Sequence, residues 1–452
     1  MQKLILMEVT KKEKAVFTRY EVLVIAIISL TQFTVILDLM VLAPIGAILR
    51  PALQISIPQF SHVVSAYAFS AGIAGLLTAG FADKFDRKKL LLFFYSGFIF
   101  GTFLCAIAPD YDFLLMARIV TGLFGGVISS VSFAIITDLF KMEVRGRVMG
   151  FAQMSFAVSQ IIGLPVGIVL ANKFGWHSPF MMIVVLAILI GTAIFIFLKP
   201  VDAHLKLKSD RNAFQHLIKT ISTPNYIRGF MATVLLATGG SMLMPYGSDF
   251  STRNLGLTLD QLPWLYGITG AFSMVIGPVA GRLSDKFGKY NLFVAGSLLA
   301  MLMVAIYTHL GITPLWQVIS LNVIMFMGIL SRMISASTLM SAVPEPQDRG
   351  AFMSINSSIQ QMSGGLATLA AGKIIVEHGK ASLENYPATL AAGKIILEHK
   401  APLENYPMLG YVVMGSLLIT IFMMYRINKL VMNKKPFMPP AEPIKEVVTE
   451  VE

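Results

Sequence analysis

Long apolar runs and short polar segments alternate along the whole chain. The runs lie near residues 22–49, 59–80, 90–108, 113–137, 148–171, 180–198, 229–248, 263–281, 290–308, 315–340, 351–376 and 408–430. Each approaches the roughly 20 residues that a helix needs to cross a hydrocarbon core about 30 Å thick. Strands cross only as a closed barrel, whose segments would be about 10 residues of alternating polarity, and these runs do not alternate. The pattern therefore predicts an all-α membrane protein with twelve transmembrane helices.

Composition agrees: only 13% of the 452 residues are charged, against about 25% in soluble domains. The net charge of +11 invites a nucleic-acid reading, and the placement of the cations decides against it. The loops after the second, fourth, eighth and tenth runs hold Lys84, Arg87, Lys88, Lys89, Lys141, Arg145, Arg147, Arg282, Lys286, Lys289 and Arg349, whereas the opposite short loops hold little beyond Arg50, Lys173 and Arg253. Such asymmetry marks the cytoplasmic face of a membrane protein, and an even number of spans places both termini there. The opening "MQKLILMEVTKKEK" lacks the layout of a signal peptide. The single cysteine, Cys105, allows neither an intrachain disulfide nor a cysteine metal site.

Laid over the first half, the second half repeats its landmarks. Pro44 in "APIGAIL" matches Pro245 in "MPYGSDF", Asp83 in "ADKFDRKK" matches Asp285 in "SDKFGKY", and Arg145-Gly146 matches Arg349-Gly350, all at offsets of 201 to 204 residues. A constant offset is the signature of an internal repeat. The expected organisation is a six-helix bundle over 1–198, a cytoplasmic connector over 199–228, a second six-helix bundle over 229–430, and a cytoplasmic tail over 431–452. Two-half transporters are built this way, with substrate bound between the halves near the bilayer midplane.

The stretch "AGFADKFDRKKLL" resembles the signature G-x-L-A-D-[RK]-x-G-R-[RK] between helices 2 and 3 of the major facilitator superfamily, with Ala79 and Asp86 where that signature has glycine. "RIVTGLFGG" from Arg118 looks like the same superfamily's R-x-x-x-G-x-x-G span, and "GLPVGIVLANKFGWHSPF" is similar to the glycine-proline span of its drug:proton antiporters and sugar-efflux members. The resemblance covers essentially the whole chain and implies the major facilitator fold, two pseudo-symmetric six-helix bundles in a bacterial cytoplasmic membrane. In that family the signature aspartate, here Asp83, contacts the start of helix 11, here near 351–354; Arg87 would pair with Asp138. Together with Asp285, Arg145 and Arg349 these residues are the expected latch of the cytoplasmic gate.

The residues themselves offer further candidates. Asp38 lies deep in the first run, where a carboxylate is costly and normally faces a cavity or a partner. Arg118, from a neighbouring span, is long enough to reach it. Burial favours a protonated carboxyl and an adjacent guanidinium opposes this, so the pair could exchange a proton for substrate. Prolines loosen backbone pairing within spans, which makes Pro44 and Pro245, with Gly163, Pro165 and Gly167, hinge candidates. Polar and soft groups that could line a central cavity are Gln32, Gln153, Met154, Met242, Tyr246, Asn356, Gln360 and the mid-span cation Arg332, for which structural pairing and anion binding are both open.

Residues 367–387, "ATLAAGKIIVEHGKASLENYP", recur almost unchanged at 388–407. The second copy is too short in apolar residues to cross, so an enlarged extracytoplasmic loop over 377–407 is expected. Its copied His378 and His399 are no metal pair. No phosphate-binding G-x-x-x-x-G-K-[ST] loop and no catalytic constellation stands out, so no enzyme activity and no cofactor is expected. The leading expectation is a monomeric, proton-coupled efflux antiporter for small amphipathic compounds or sugars, its partners being substrate, protons and lipid. The alternatives are a proton symporter or facilitator importing a metabolite, and a transport-inactive membrane sensor.

Overall fold

The computed structural model describes residues 17–79, 84–202, 205, 213–345, 348–377 and 402–433. Among them, eleven helical segments are long and apolar enough to span a membrane. The first half contains α1 (Arg19–Val41), α2 (Gly46–Leu53), α3 (Ile57–Ala79), α4 (Arg87–Ala106), α5 (Tyr111–Leu139), α6 (Met142–Val158), α7 (Leu164–Phe174) and α8 (Ser178–Phe197). The second contains α9 (Ala213–Ser222), α10 (Pro224–Leu243), α11 (Gly247–Arg253), α12 (Leu262–Phe287), α13 (Lys289–Tyr307), α14 (Leu315–Ser341), α15 (Arg349–Ile374) and α16 (Tyr406–Met432). Several spans are built from two of these helices.

The twelfth long helix, α15, has the length of a span at 26 residues but lower apolarity, because "SINSSIQQMS" lies within it. Those polar groups have protein to face: α15 packs along α3 and α10 instead of standing alone in lipid. Chain starts follow local chemistry. Thr18 and Glu21 form a capping box at α1, and Asp110 Oδ1 accepts from Phe113 N at 2.9 Å at the start of α5.

Pro44 and Pro245 occupy equivalent breaks. A turn separates α1 from α2, and a single 3₁₀ turn (Met244–Tyr246) separates α10 from α11. Between α6 and α7 the chain takes a π-helical turn, Ser159–Gly163, with Pro165 following in the first turn of α7. Such bulges and prolines are the usual causes of helix kinks.

Two seams join the halves. One is α3 against α15; the other is the π turn and α7 against α12. Small residues let the backbones meet: a Cβ added at Gly270 would lie 3.0 Å from the Gln160 carbonyl, and one at Gly267 would lie 3.2 Å from Pro165. The same device works inside the first half, where a Cβ at Gly126 would lie 2.5 Å from Ala71 Cα. Gly126→Val should therefore force α3 and α5 apart and lower the thermal stability of the purified protein by about 1–3 kcal/mol or more. Unchanged unfolding would show that this contact is not close-packed.

Two-residue strands, β1 (Val376–Glu377) and β2 (Leu403–Glu404), pair antiparallel between α15 and α16. Asn254 holds β2 from α11's end, accepting from Leu403 N at 2.9 Å and donating to its carbonyl at 3.0 Å. Most of the duplicated loop, including His378 and His399, lies outside the described residues.

Candidate functional site

Asp38 sits in the last turns of α1, fully buried, and α5 brings Arg118 to it. Arg118 Nη1 donates to Asp38 Oδ2 at 2.9 Å, and Thr102 Oγ1 of α4 donates to Oδ1 at 3.3 Å. The guanidinium also lies 4.6 Å from the ring centroid of Tyr67, on α3. Four helices of the first half thus converge on one carboxylate. Removing charge from water in this way costs several kcal/mol per ion, which only close pairing and hydrogen bonding offset. The pair joins the two residues that the sequence singles out, and all four side chains come from the first half.

Near the ends of α4 and α5, Arg87 Nε lies 3.2 Å from Asp138 Oδ2. Asp86 takes the signature's second glycine position for a local reason. It is the N-cap of α4, its Oδ1 accepting from Lys88 N at 2.7 Å, Lys89 N at 3.3 Å and Val201 N at 3.4 Å. Arg145 Nη2 donates to the carbonyls of Thr137 at 2.7 Å and Phe140 at 3.3 Å, so it caps the C-terminus of α5 in its own half. Asp285 is exposed in the last turn of α12. Asp83 lies outside the described residues, as does the side chain of Arg349. The structure brings Arg87 and Asp138 together; it does not join Asp285 to Arg145.

The hinge candidates lie at contacts between elements. A Cβ at Gly163 would lie 2.6 Å from Leu37 of α1, and one at Gly167 would lie 2.9 Å from Val41. The cavity candidates scatter. Gln32 Oε1 accepts from Ser129 Oγ at 2.8 Å, and Asn356 Oδ1 accepts from Thr233. Gln153, Met154 and Gln360 are exposed, whereas Met242 and Arg332 are buried. Tyr246 is spent on the junction of the halves: its hydroxyl shares a hydrogen bond with Ser61 of α3 and donates to the Thr368 carbonyl of α15 at 3.1 Å.

That junction holds the feature sequence reasoning missed. Arg50 of α2, counted there as a loop charge, is 2% exposed, and its Nη1 donates to Asp249 Oδ2 of α11 at 2.8 Å across the two halves. Arg253, one turn along, places its Nε 3.3 Å from Asp249 Oδ1. Ser248 Oγ donates to the Ala43 carbonyl at 2.8 Å, and Asn172 Nδ2 donates to that of Leu259 at 3.0 Å. All of this lies at the end opposite the basic loops. A signal was present: both charges follow closely on the matched prolines Pro44 and Pro245.

Comparisons with known proteins bear on the whole arrangement. The sequence pattern described as Major Facilitator Superfamily matches residues 28–368. A Bacillus subtilis (strain 168) protein named as an uncharacterized MFS-type transporter, YceJ, is 27% identical over 286 residues, which are 63% of this chain and 71% of that one. The same organism's Multidrug resistance protein 3 is 31% identical over 156 residues, 34% of this chain and 30% of its own. Among solved structures, a bacterial homolog of the human lysosomal transporter Spinster, inward-facing and unoccupied, superposes with a TM-score of 0.68 at 16% identity, covering 92% of this chain and 97% of that one.

Proposed function

The chain belongs to the major facilitator superfamily, and from that premise we propose that it is a proton-coupled antiporter exporting small amphipathic compounds or sugars by alternating access. The observation that carries this reading is the buried Asp38–Arg118 pair. It is a titratable carboxylate at membrane depth, held by a cation and one hydroxyl. Intramembrane carboxylates of this kind mark proton relays. A proton taken up by Asp38 cancels the attraction to Arg118 and frees α1 to shift.

That shift has somewhere to go. The span of Asp38 continues through the Pro44 break into α2, whose Arg50 clasps Asp249 of the other half. Protonation at Asp38 and release of the clasp are thus linked through one short stretch of chain, with Gly163, Pro165 and Gly167 bending beside it. At the other end, Arg87 and Asp138 brace α4 against α5; the wider cytoplasmic latch of Asp83, Asp285, Arg145 and Arg349 forms only once the cytoplasmic ends close, since here Asp285 is exposed and Arg145 is bonded within its own half. Both termini lie on the cytoplasmic side, and the monomer is the working unit. The relative named a multidrug resistance protein supports export of amphipathic compounds.

Proteoliposomes test the reading. With an imposed pH gradient and a panel of amphipathic dyes and sugars, at least one compound should move opposite to protons and collapse the gradient as it does so. Movement in the same direction as protons would establish symport instead, and a ligand that binds but never moves would establish a sensor.

A further inference from the structure

Of the cations buried among the spans, Arg50 and Arg118 each face a carboxylate. Arg332 faces none. It lies on α14, 6% exposed, and among the described residues it forms no ion pair. Its guanidinium carbon stands 5.8 Å from the ring centroid of Phe293 on α13, and its Nε and Nη2 have no hydrogen-bond partner. A lone cation in hydrocarbon surroundings is among the costliest arrangements a membrane protein can hold, and it persists where something compensates it.

Two further buried polar groups lie on the same stretch of the two helices. Ser335, one turn along α14, and Ser297, on α13, are both fully buried, and neither hydroxyl has a partner among the described residues. Ser297 shares the buried face of α13 with Phe293 and Gly296. Gly296 brings that face hard against α14: a Cβ there would lie 2.8 Å from the Gly328 carbonyl oxygen and 2.9 Å from Arg332 N. One turn of each helix therefore offers an unpaired guanidinium edge and two unpaired hydroxyls.

The geometry points to a carboxylate. Nε–H and Nη2–H leave the guanidinium side by side along one edge, the spacing that two oxygens of a planar carboxylate accept together. One unpaired positive charge balances one negative charge, whereas a doubly charged phosphate would be left uncompensated. We propose that Arg332, with Ser297 and Ser335, binds the carboxylate of a small amphipathic substrate, which makes weak organic acids the substrate class. This rests on the transport reading above, but its test does not require proton coupling.

Full-length protein in detergent is unfolded thermally with benzoate or its neutral isostere benzamide, and with chloride and phosphate alongside. Benzoate should raise the unfolding temperature with saturation, and benzamide should not. Arg332→Gln should weaken the benzoate effect by about 30-fold or more, and Arg332→Lys, which keeps the charge but not the fork, should fall between. Arg332→Met should unfold at a higher temperature than the parent without ligand and ignore benzoate, which shows that loss of binding is not misfolding. Equal benzoate response in Arg332→Gln, or no response of the parent to benzoate, overturns the site. Chloride or phosphate acting as strongly as benzoate overturns the carboxylate assignment. In proteoliposomes, radiolabelled benzoate should exchange across the membrane; binding without exchange assigns the site to a resident anion and overturns the substrate class. Failure of any of these leaves the proton-driven movement of other compounds untouched, so the two readings fail separately.

Discussion

Asp38→Asn is expected to abolish accumulation driven by a pH gradient while downhill exchange of substrate continues. Asparagine has the same shape and keeps a carbonyl oxygen that can accept from Arg118 or Thr102, so the junction keeps its hydrogen bonds; Arg118 loses its counter-charge, and stability should fall, but by less than with alanine, which loses the hydrogen bonds as well. It cannot take up or release a proton. Asp38→Ala tests the other half of the argument: it leaves Arg118 buried without its carboxylate, at a cost of about 3–5 kcal/mol, and should reduce both thermal stability and yield. Gradient-driven uptake, counterflow and unfolding temperature, measured on parent and both variants, separate coupling from folding. Full gradient-driven accumulation by Asp38→Asn would remove this carboxylate from the mechanism.

The second large effect is expected at the junction of the halves. Arg50→Gln leaves Asp249 with only Arg253, and breaking a buried ion pair from one side costs about 3 kcal/mol or more. All of that cost falls on the conformation in which α2 and α11 touch. The clasped form should lose roughly a hundredfold in relative population, since each tenfold change corresponds to about 1.4 kcal/mol. A cysteine at Ser61, which is 1% exposed and bonded to Tyr246 in the clasped form, reports the change. The native Cys105 is buried and gives little background. A membrane-impermeant thiol reagent should modify Ser61→Cys slowly in the parent and far faster with Arg50→Gln. Unchanged modification would show that the Arg50–Asp249 pair is not what holds the halves together at this end.

Much of the site was legible because intramembrane charges are few. Asp38 and Arg118 are the only charged residues inside the apolar runs of the first half, and they have opposite signs, so their pairing is expected before their helices are positioned. Arg87 and Asp138 followed from the signature. The second half gave no such guidance. Arg253, placed by the sequence at a span's edge, serves the clasp, whereas Arg332, mid-span, meets no acid among the described residues. Asp86 shows the same limit at short range: a departure from the signature, read alone, is an N-cap once the start of α4 is seen.

Span length against bilayer thickness, the side that holds the lysines, the offset near 202 that reveals two halves, and the prolines that interrupt matched spans are all written in local order. These depend on neighbours along the chain, and hydrophobic burial reads them without knowledge of the fold. Which charges meet depends on the packing of helices far apart in the chain. Arg50 and Asp249 are 199 residues apart, and their contact depends on how two bundles pack through Gly267, Gly270 and the α3–α15 seam. An ion pair is worth its burial cost only within a few ångströms, and that distance is set by packing rather than by sequence separation.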